Sequence, residues 1–325
     1  MRTRTLGRTG LTVSGLGFGC GAVGGLMVRG DAADQERAVA RAVERGVTYF
    51  DTAPSYGDGQ SERNLGRVLS KLKPNVLVGT KLRLRPEEKK DIGRVVIAGL
   101  DGSLRRLGLD HVDLFQLHNP ITRDGAGETL TPRMVLDAVA PAFAALREQG
   151  KIRFLGITAV GETGALHAVI DSGAFDTAQV CYNVLNPSAG GALPANDPGQ
   201  DYGNLLGRMR AQDMGAIGIR VLAGGALSGE TERHPIASPP PAPIGSGPDY
   251  AADLARAQSL RPLIEEAGAA TLAEVAIRFA ISHPAMGTAL IGIATPEQFE
   301  AAAEAAEKGP LPASILERLG VVEAR

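Results

Sequence analysis

Phe50-Asp51-Thr52-Ala53-Pro54-Ser55-Tyr56-Gly57 decides how this chain is read. It follows a short β-like run and sets a carboxylate and a phenol five positions apart. Two further reactive groups stand in similar settings. Lys81 closes the run Val76-Leu77-Val78-Gly79-Thr80, and His118 closes Val112-Asp113-Leu114-Phe115-Gln116-Leu117. Carboxylate, phenol, amine and imidazole thus sit at or just beyond the C-terminal ends of successive strand candidates. In a parallel β/α barrel all those ends open on one face, where such barrels keep their chemistry. Any one of these residues alone reads as a turn, a cap or a surface charge. All four together predict one pocket.

Outward from that stretch, strand-like and helix-like segments alternate, which favours a parallel sheet with crossover helices. Strands are expected at 16–19, 47–50, 76–80, 112–117, 154–158, 177–180, 216–222 and 288–293. Helices are expected at 34–45, 61–69, 89–107 and 131–149, the last ending at Gly150, a favoured residue after a helix. Residues 2–13 read as a hairpin turning at Gly7-Arg8-Thr9-Gly10 that plugs one end of the barrel. The expectation is a single (β/α)8 TIM-barrel domain over residues 1–325, with no internal repeat. Two stretches break the alternation: 186–204, rich in Gly, Pro and Asn, and 229–248, with Pro239-Pro240-Pro241 and Pro243. Both follow barrel strands, so both are expected on the catalytic face, as lids, binding loops or inert connections.

Composition narrows the function. A chain of 325 residues is long enough for one large α/β domain or two ordinary ones, and 44% hydrophobic content is ample for one core. A formal net charge of −2 argues against nucleic acid or a membrane surface as the main partner. Cys20 and Cys181 are the only cysteines and lie far apart, so neither a disulfide framework nor a zinc-ligand spacing is present. Met1-Arg2-Thr3-Arg4-Thr5 has no apolar signal core and no 18-residue apolar run follows, so a cytoplasmic location is expected.

The stretches 50–69 (FDTAPSYGDGQSERNLGRVL), 78–81 (VGTK), 107–120 (LGLDHVDLFQLHNP), 150–158 (GKIRFLGIT) and 222–229 (LAGGALSG) resemble those of the aldo-keto reductases. That resemblance runs from the hairpin to about Ala306. It implies a nicotinamide cofactor, NADP or NAD, bound without a Rossmann fold, and a catalytic tetrad of Asp51, Tyr56, Lys81 and His118. In the chemistry this implies, Tyr56 gives the proton, Lys81 lowers its pKa from the reference value near ~10, Asp51 pairs with Lys81, and His118 orients the substrate oxygen. Cofactor contacts are implied at Gly21 in the first barrel loop, at Asp51, at Thr158 and Gln179, and at Arg220, Leu222, Gly224 and Leu227 after the seventh strand. Ile293, Thr295 and Gln298 complete the implied set.

Three positions depart from the family pattern. Thr158-Ala159 stands where Ser-Asn is usual, and Ile219-Arg220 where an aromatic residue precedes Ser. Ala294 and Gln298 occupy positions where many NADPH-using relatives carry Lys or Arg, which leaves NAD open. A rival reading starts from Gly19-Cys20-Gly21-Ala22-Val23-Gly24, which satisfies G-x-G-x-x-G. A Rossmann motif should run straight into a helix, with its acidic residue about 20 positions on; here Gly25 to Gly30 intervene and Asp51 comes later than that. With 4% aromatic residues and no Trp, the pocket lacks large aromatic walls, and Arg83 and Arg220 suit a small polar carbonyl compound or a sugar. The expected activity is reduction of an aldehyde or ketone. The alternatives are NAD-dependent sugar or alcohol dehydrogenation, and a nicotinamide-binding regulatory barrel with little turnover.

Overall fold

The computed structural model describes residues 1–193 and 195–319; Pro194, inside the 186–204 loop, and positions 320–325 of the expected domain lie outside the described residues. Strands β1 (Thr3–Thr5) and β2 (Thr12–Ser14) form the antiparallel hairpin, with Thr3 opposite Ser14. Eight parallel strands then close on themselves: β3 (Leu16–Gly19), β4 (Tyr49–Asp51), β5 (Leu77–Leu82), β6 (Val112–Leu117), β7 (Ile152–Ala159), β8 (Thr177–Cys181), β9 (Gly215–Ile219) and β10 (Met286–Gly292). The ring closes where Ala289 of β10 pairs with Leu16 of β3. Every residue of β6 is buried, as expected for a strand covered by helices outside and by packed side chains inside.

Bulk inside the barrel alternates between neighbouring strands. A Cβ on Gly79 would lie 2.2 Å from Tyr49 Oη, and one on Gly156 would lie 2.7 Å from Gln116 Cγ. Glycine on β5 and β7 therefore makes the room that Tyr49 of β4 and Gln116 of β6 fill, the layered interior of such barrels. The hairpin seals the N-terminal end by packing Leu6, Leu11 and Val13 against Tyr49, Leu114, Ile217 and Leu290. Arg4 fastens the seal by donating to the carbonyls of Ile281 (2.8 Å), His283 (3.0 Å) and Met286 (2.7 Å).

The principal outer helices are α1 (Ala32–Glu44), α2 (Gln60–Leu72), α3 (Ile92–Leu107), α4 (Ala140–Glu148), α5 (Thr163–Asp171), α6 (Leu205–Ala211), α7 (Leu272–Ser282) and α8 (Pro296–Glu307). Asp31 starts α1 by accepting from Asp34 N at 2.8 Å, and the helix buries Gln35, Ala38, Val39 and Ala42. Two expected segments change form. The helix expected at 131–149 passes through a π turn at Val135–Val139 before α4, because Pro141 has no N–H to offer the carbonyl of Asp137. The seventh barrel strand, expected to run to Leu222, stops at Ile219, because Arg220 adopts φ 55° and turns the chain. The open-sheet alternative falls with the closed ring, and only the short helix Leu26–Arg29 follows the glycine motif before α1.

Candidate active site

Asp51 ends β4 and is buried, only 3% exposed. Lys81 lies one residue inside the end of β5 and is 1% exposed. The Lys81 ammonium contacts Asp51 Oδ2 and donates to Thr52 O (2.9 Å) and Tyr56 Oη (3.3 Å). Tyr56 sits in the loop between β4 and α2, with the Lys81 nitrogen 5.0 Å from its ring centroid. His118 follows β6, its backbone N–H donating to Leu82 O at 2.7 Å. Its ring meets that of Tyr56 edge-on, 5.8 Å between centroids and 88° apart. The four groups expected from sequence thus converge.

The electrostatics give each group a charge state. Burial alone would push the Lys81 ammonium down, but Asp51 and Tyr56 outweigh it and the net shift is upward. The ion pair is therefore held in its charged form. His118 is driven down to about 3, first by burial and then by the positive charges of Lys81 and Arg83, so its imidazole is neutral near pH 7. Tyr56 departs from the expected lowering. Lys81 does pull its pKa down, yet burial outweighs that pull and the net direction is up, so the phenol keeps its proton. A neutral phenol and a neutral imidazole face one opening above a buried ion pair. Such a set can hand a proton to an oxygen placed between them.

The opening leads into a cavity of about 890 Å³. Of the residues singled out from sequence, its wall includes Gly21, Asp51, Tyr56, His118, Thr158, Gln179, Arg220, Leu222, Gly224, Ile293 and Gln298. Lys81 lies beneath the wall, Leu227 is buried in the core, and the Thr295 hydroxyl caps α8 by accepting from Gln298 N at 3.2 Å. Gln179 commits one N–H to Asp51 Oδ1 at 2.8 Å. Thr158 Oγ1 is buried without a hydrogen-bond partner among the described residues, although it borders the cavity. A buried hydroxyl of that kind calls for a polar partner from outside the chain.

The 229–248 stretch forms a roof over part of this cavity. Arg233 donates to Gly224 O (2.7 Å), Ser238 O (2.9 Å), Tyr250 Oη (3.2 Å) and Val23 O (3.3 Å), tying the loop after β9 to the loop after β3. Arg29 holds the same roof through Ile236 O at 2.6 Å. Arg220 Nη1 also approaches Gly224, 3.0 Å from where a Cβ would stand, and the strained Arg220 backbone is held by Asn183 Nδ2 donating to its carbonyl at 2.9 Å. Arg220 Nη1 also donates to Ala242 O at 3.3 Å. The 186–204 loop follows β8 on the same face and takes the connecting role among those expected: none of its described residues lines the cavity, Asn186 donates to Gln200 O at 2.9 Å, and Gln200 N donates to Gly245 O at 2.8 Å, joining it to the 229–248 stretch.

Sequence reading missed Tyr49, Gln116 and Arg233. Tyr49 donates to Asp51 Oδ1 at 2.9 Å, and Gln116 Nε2 donates to the same oxygen at 3.1 Å. The available signal was the two-residue strand period. Tyr49 stands two before Asp51 and Gln116 two before His118, so each shares a face with a reactive neighbour.

A closed (β/α)8 barrel with these four groups at its C-terminal mouth defines a class of barrel oxidoreductases. The Aldo/keto reductase family profile matches residues 15–322, and the chain belongs to that family. It is 27% identical over 306 residues to L-galactose dehydrogenase of Arabidopsis thaliana, covering 91% of this chain and 85% of that one. It is likewise 27% identical over 346 residues to pyridoxal 4-dehydrogenase of Microbacterium luteolum, covering 91% and 90%. In fold it matches the holo form of aldo-keto reductase AKR11C1 from Bacillus halodurans, with TM-score 0.72 and 24% identity, over 100% of this chain and 99% of that one. No helix among the described residues is long and apolar enough to cross a membrane.

Proposed function

We propose that this protein is an NAD(P)-dependent oxidoreductase that interconverts a small polar carbonyl compound and its alcohol, with Tyr56 as the proton donor in reduction. One observation carries the reading: a buried Lys81–Asp51 ion pair touches the phenol of Tyr56 beside a neutral His118, at the floor of a cavity of about 890 Å³. The nicotinamide, when bound, supplies or accepts hydride. Thr158 Oγ1 and the remaining hydrogen-bonding capacity of Gln179 suit its carboxamide. Arg220, beside Gly224, suits a diphosphate, and Arg233, whose donors are mostly engaged by the roof, adds positive charge nearby. His118 would donate a hydrogen bond to the substrate oxygen while Tyr56 passes its proton. In the reverse direction Tyr56 recovers that proton. The two similar dehydrogenases support an alcohol-oxidising role on a sugar or a comparable polar substrate as well as carbonyl reduction. A cytoplasmic setting fits such chemistry.

Steady-state NADH and NADPH oxidation with a panel of aldehydes and ketones, run beside NAD and NADP reduction with sugars, tests the reading. Tyr56→Phe should lower kcat by roughly 10²-fold or more while leaving cofactor affinity nearly unchanged. Retention of more than about a tenth of kcat would show that another group is the acid.

A further inference from the structure

Asp51 receives more donors than a simple counter-ion to Lys81 requires. Its Oδ2 faces Lys81, while Oδ1 accepts from Tyr49 Oη (2.9 Å), Gln116 Nε2 (3.1 Å) and Gln179 Nε2 (2.8 Å). Gln116 Nε2 also approaches Tyr49 Oη at 3.4 Å. Gln179 borders the cavity, whereas Tyr49 and Gln116 are wholly buried, 0% exposed, in the barrel interior. A phenol and a carboxamide there cost free energy unless bonded, and Phe and Leu would fill similar space without that cost. Gly79 and Gly156 make the room for the two polar side chains, and Tyr49 and Gln116 both donate to the same carboxylate oxygen.

We propose that Tyr49 and Gln116 are positioning residues that offset part of the charge of Asp51 from below and so set how tightly Tyr56, above it, holds its proton. The proposal rests on reading Tyr56 as the proton donor. Each donor aims the positive end of a dipole at Oδ1 and cancels part of the field that Asp51 projects upward. That field favours the protonated form of both neighbours: Asp51 raises the pKa of Tyr56 and of Lys81. Tyr49 keeps its own proton throughout, held well above its usual range by burial and by Asp51. The other groups facing the pair are unaltered by substitution below. Cys20, from the β3 side, is kept a neutral thiol by burial, and His118 is neutral with Arg83 beyond it. On the outer side, Asp113 is paired with Arg153 at 2.6 Å. Removing a donor therefore leaves more of the Asp51 field on Tyr56, and the phenol should release its proton at higher pH.

The test is kcat against pH from about 6 to 10.5, in both reaction directions, for wild type, Tyr49→Phe and Gln116→Leu. The limb that reports the Tyr56 proton should move upward by about half a unit to one unit in each variant, by the same amount in reduction and oxidation. A packing role alone would lower kcat or Tm equally at every pH and leave the limb in place. That result, or a downward shift, overturns the proposal. Should Tyr49→Phe fail to fold, Gln116→Leu and the milder Gln116→Met carry the same comparison from a different strand. Tyr56→Phe measured alongside keeps the two readings apart: if it retains activity, the acid has been misassigned, whatever the other variants show.

Discussion

His118 links the proposed active site to acid stability. In the unfolded chain its imidazole takes a proton near pH 6.5, whereas in the folded protein burial, Lys81 and Arg83 delay this to about 3. Between those values the unfolded chain binds the extra proton, so stability falls as pH drops from about 6.5 toward 3. His283, lowered to about 4 chiefly by burial, acts in the same sense. His118→Gln should flatten the fall of Tm between pH 6.5 and 4, leaving the share that His283 contributes. Melting curves across that range decide this, and an unchanged slope would mean that His118 is not held neutral. Lys81 teaches a related lesson. In sequence it reads as the end of a strand and a solvated charge, yet it is completely enclosed, because Asp51, Thr52 O and Tyr56 Oη use all three of its N–H bonds.

Among the elements, the strands were the most legible, because each is a compact apolar run between turn residues. Their reactive ends were legible too, since barrel geometry gathers them at one mouth. Interior polar residues were less so: Tyr49 and Gln116 look like ordinary strand members until the glycines opposite them are placed. Gly79→Ala tests that complementarity. Its new methyl would stand 2.2 Å from Tyr49 Oη and must displace it, an overpacking cost of about 1–3 kcal/mol that denaturant unfolding would read. The π turn escaped because Pro141 was read within one continuous helix, and β9 ended early because the Arg220 backbone leaves the strand region. At the start of α8, Gln298 Oε1 accepts from Ala294 N at 2.8 Å, so this side chain curls back on its own turn and presents no cation outward. NAD(H) should then bind within about tenfold of NADP(H), or better, and Gln298→Arg should shift preference toward NADP(H) by roughly tenfold. Calorimetric titration with both cofactors measures the ratio; a wild-type preference for NADPH beyond about a hundredfold would contradict the argument.

In the whole molecule, the ring is joined along one seam between its first and last units. There Leu16 pairs with Ala289, and α1 meets α8 through Arg37–Glu297 (3.0 Å), Arg41–Glu300 (2.5 Å) and Arg45–Glu307 (3.2 Å). Exposed pairs of this kind contribute at most about 1 kcal/mol each, so backbone pairing and apolar contact between the strands hold the seam. The hairpin depends on the same late segment, because Arg4 finds its acceptors at Ile281, His283 and Met286.

That seam has a consequence for how the chain is made. On a ribosome adding about 5–20 residues per second, β3 emerges roughly 10–60 s before its partner β10 exists. Throughout that interval one edge of β3, and later one edge of β9, offers unpaired N–H and C=O groups to any neighbouring chain. The plug at the bottom cannot be fastened, and the Lys81–Asp51 pair must assemble inside a cylinder that is still open along one side. Synthesis speed, crowding with sister chains and chaperone supply therefore act on the yield of folded protein before the stability of the finished ring comes into play.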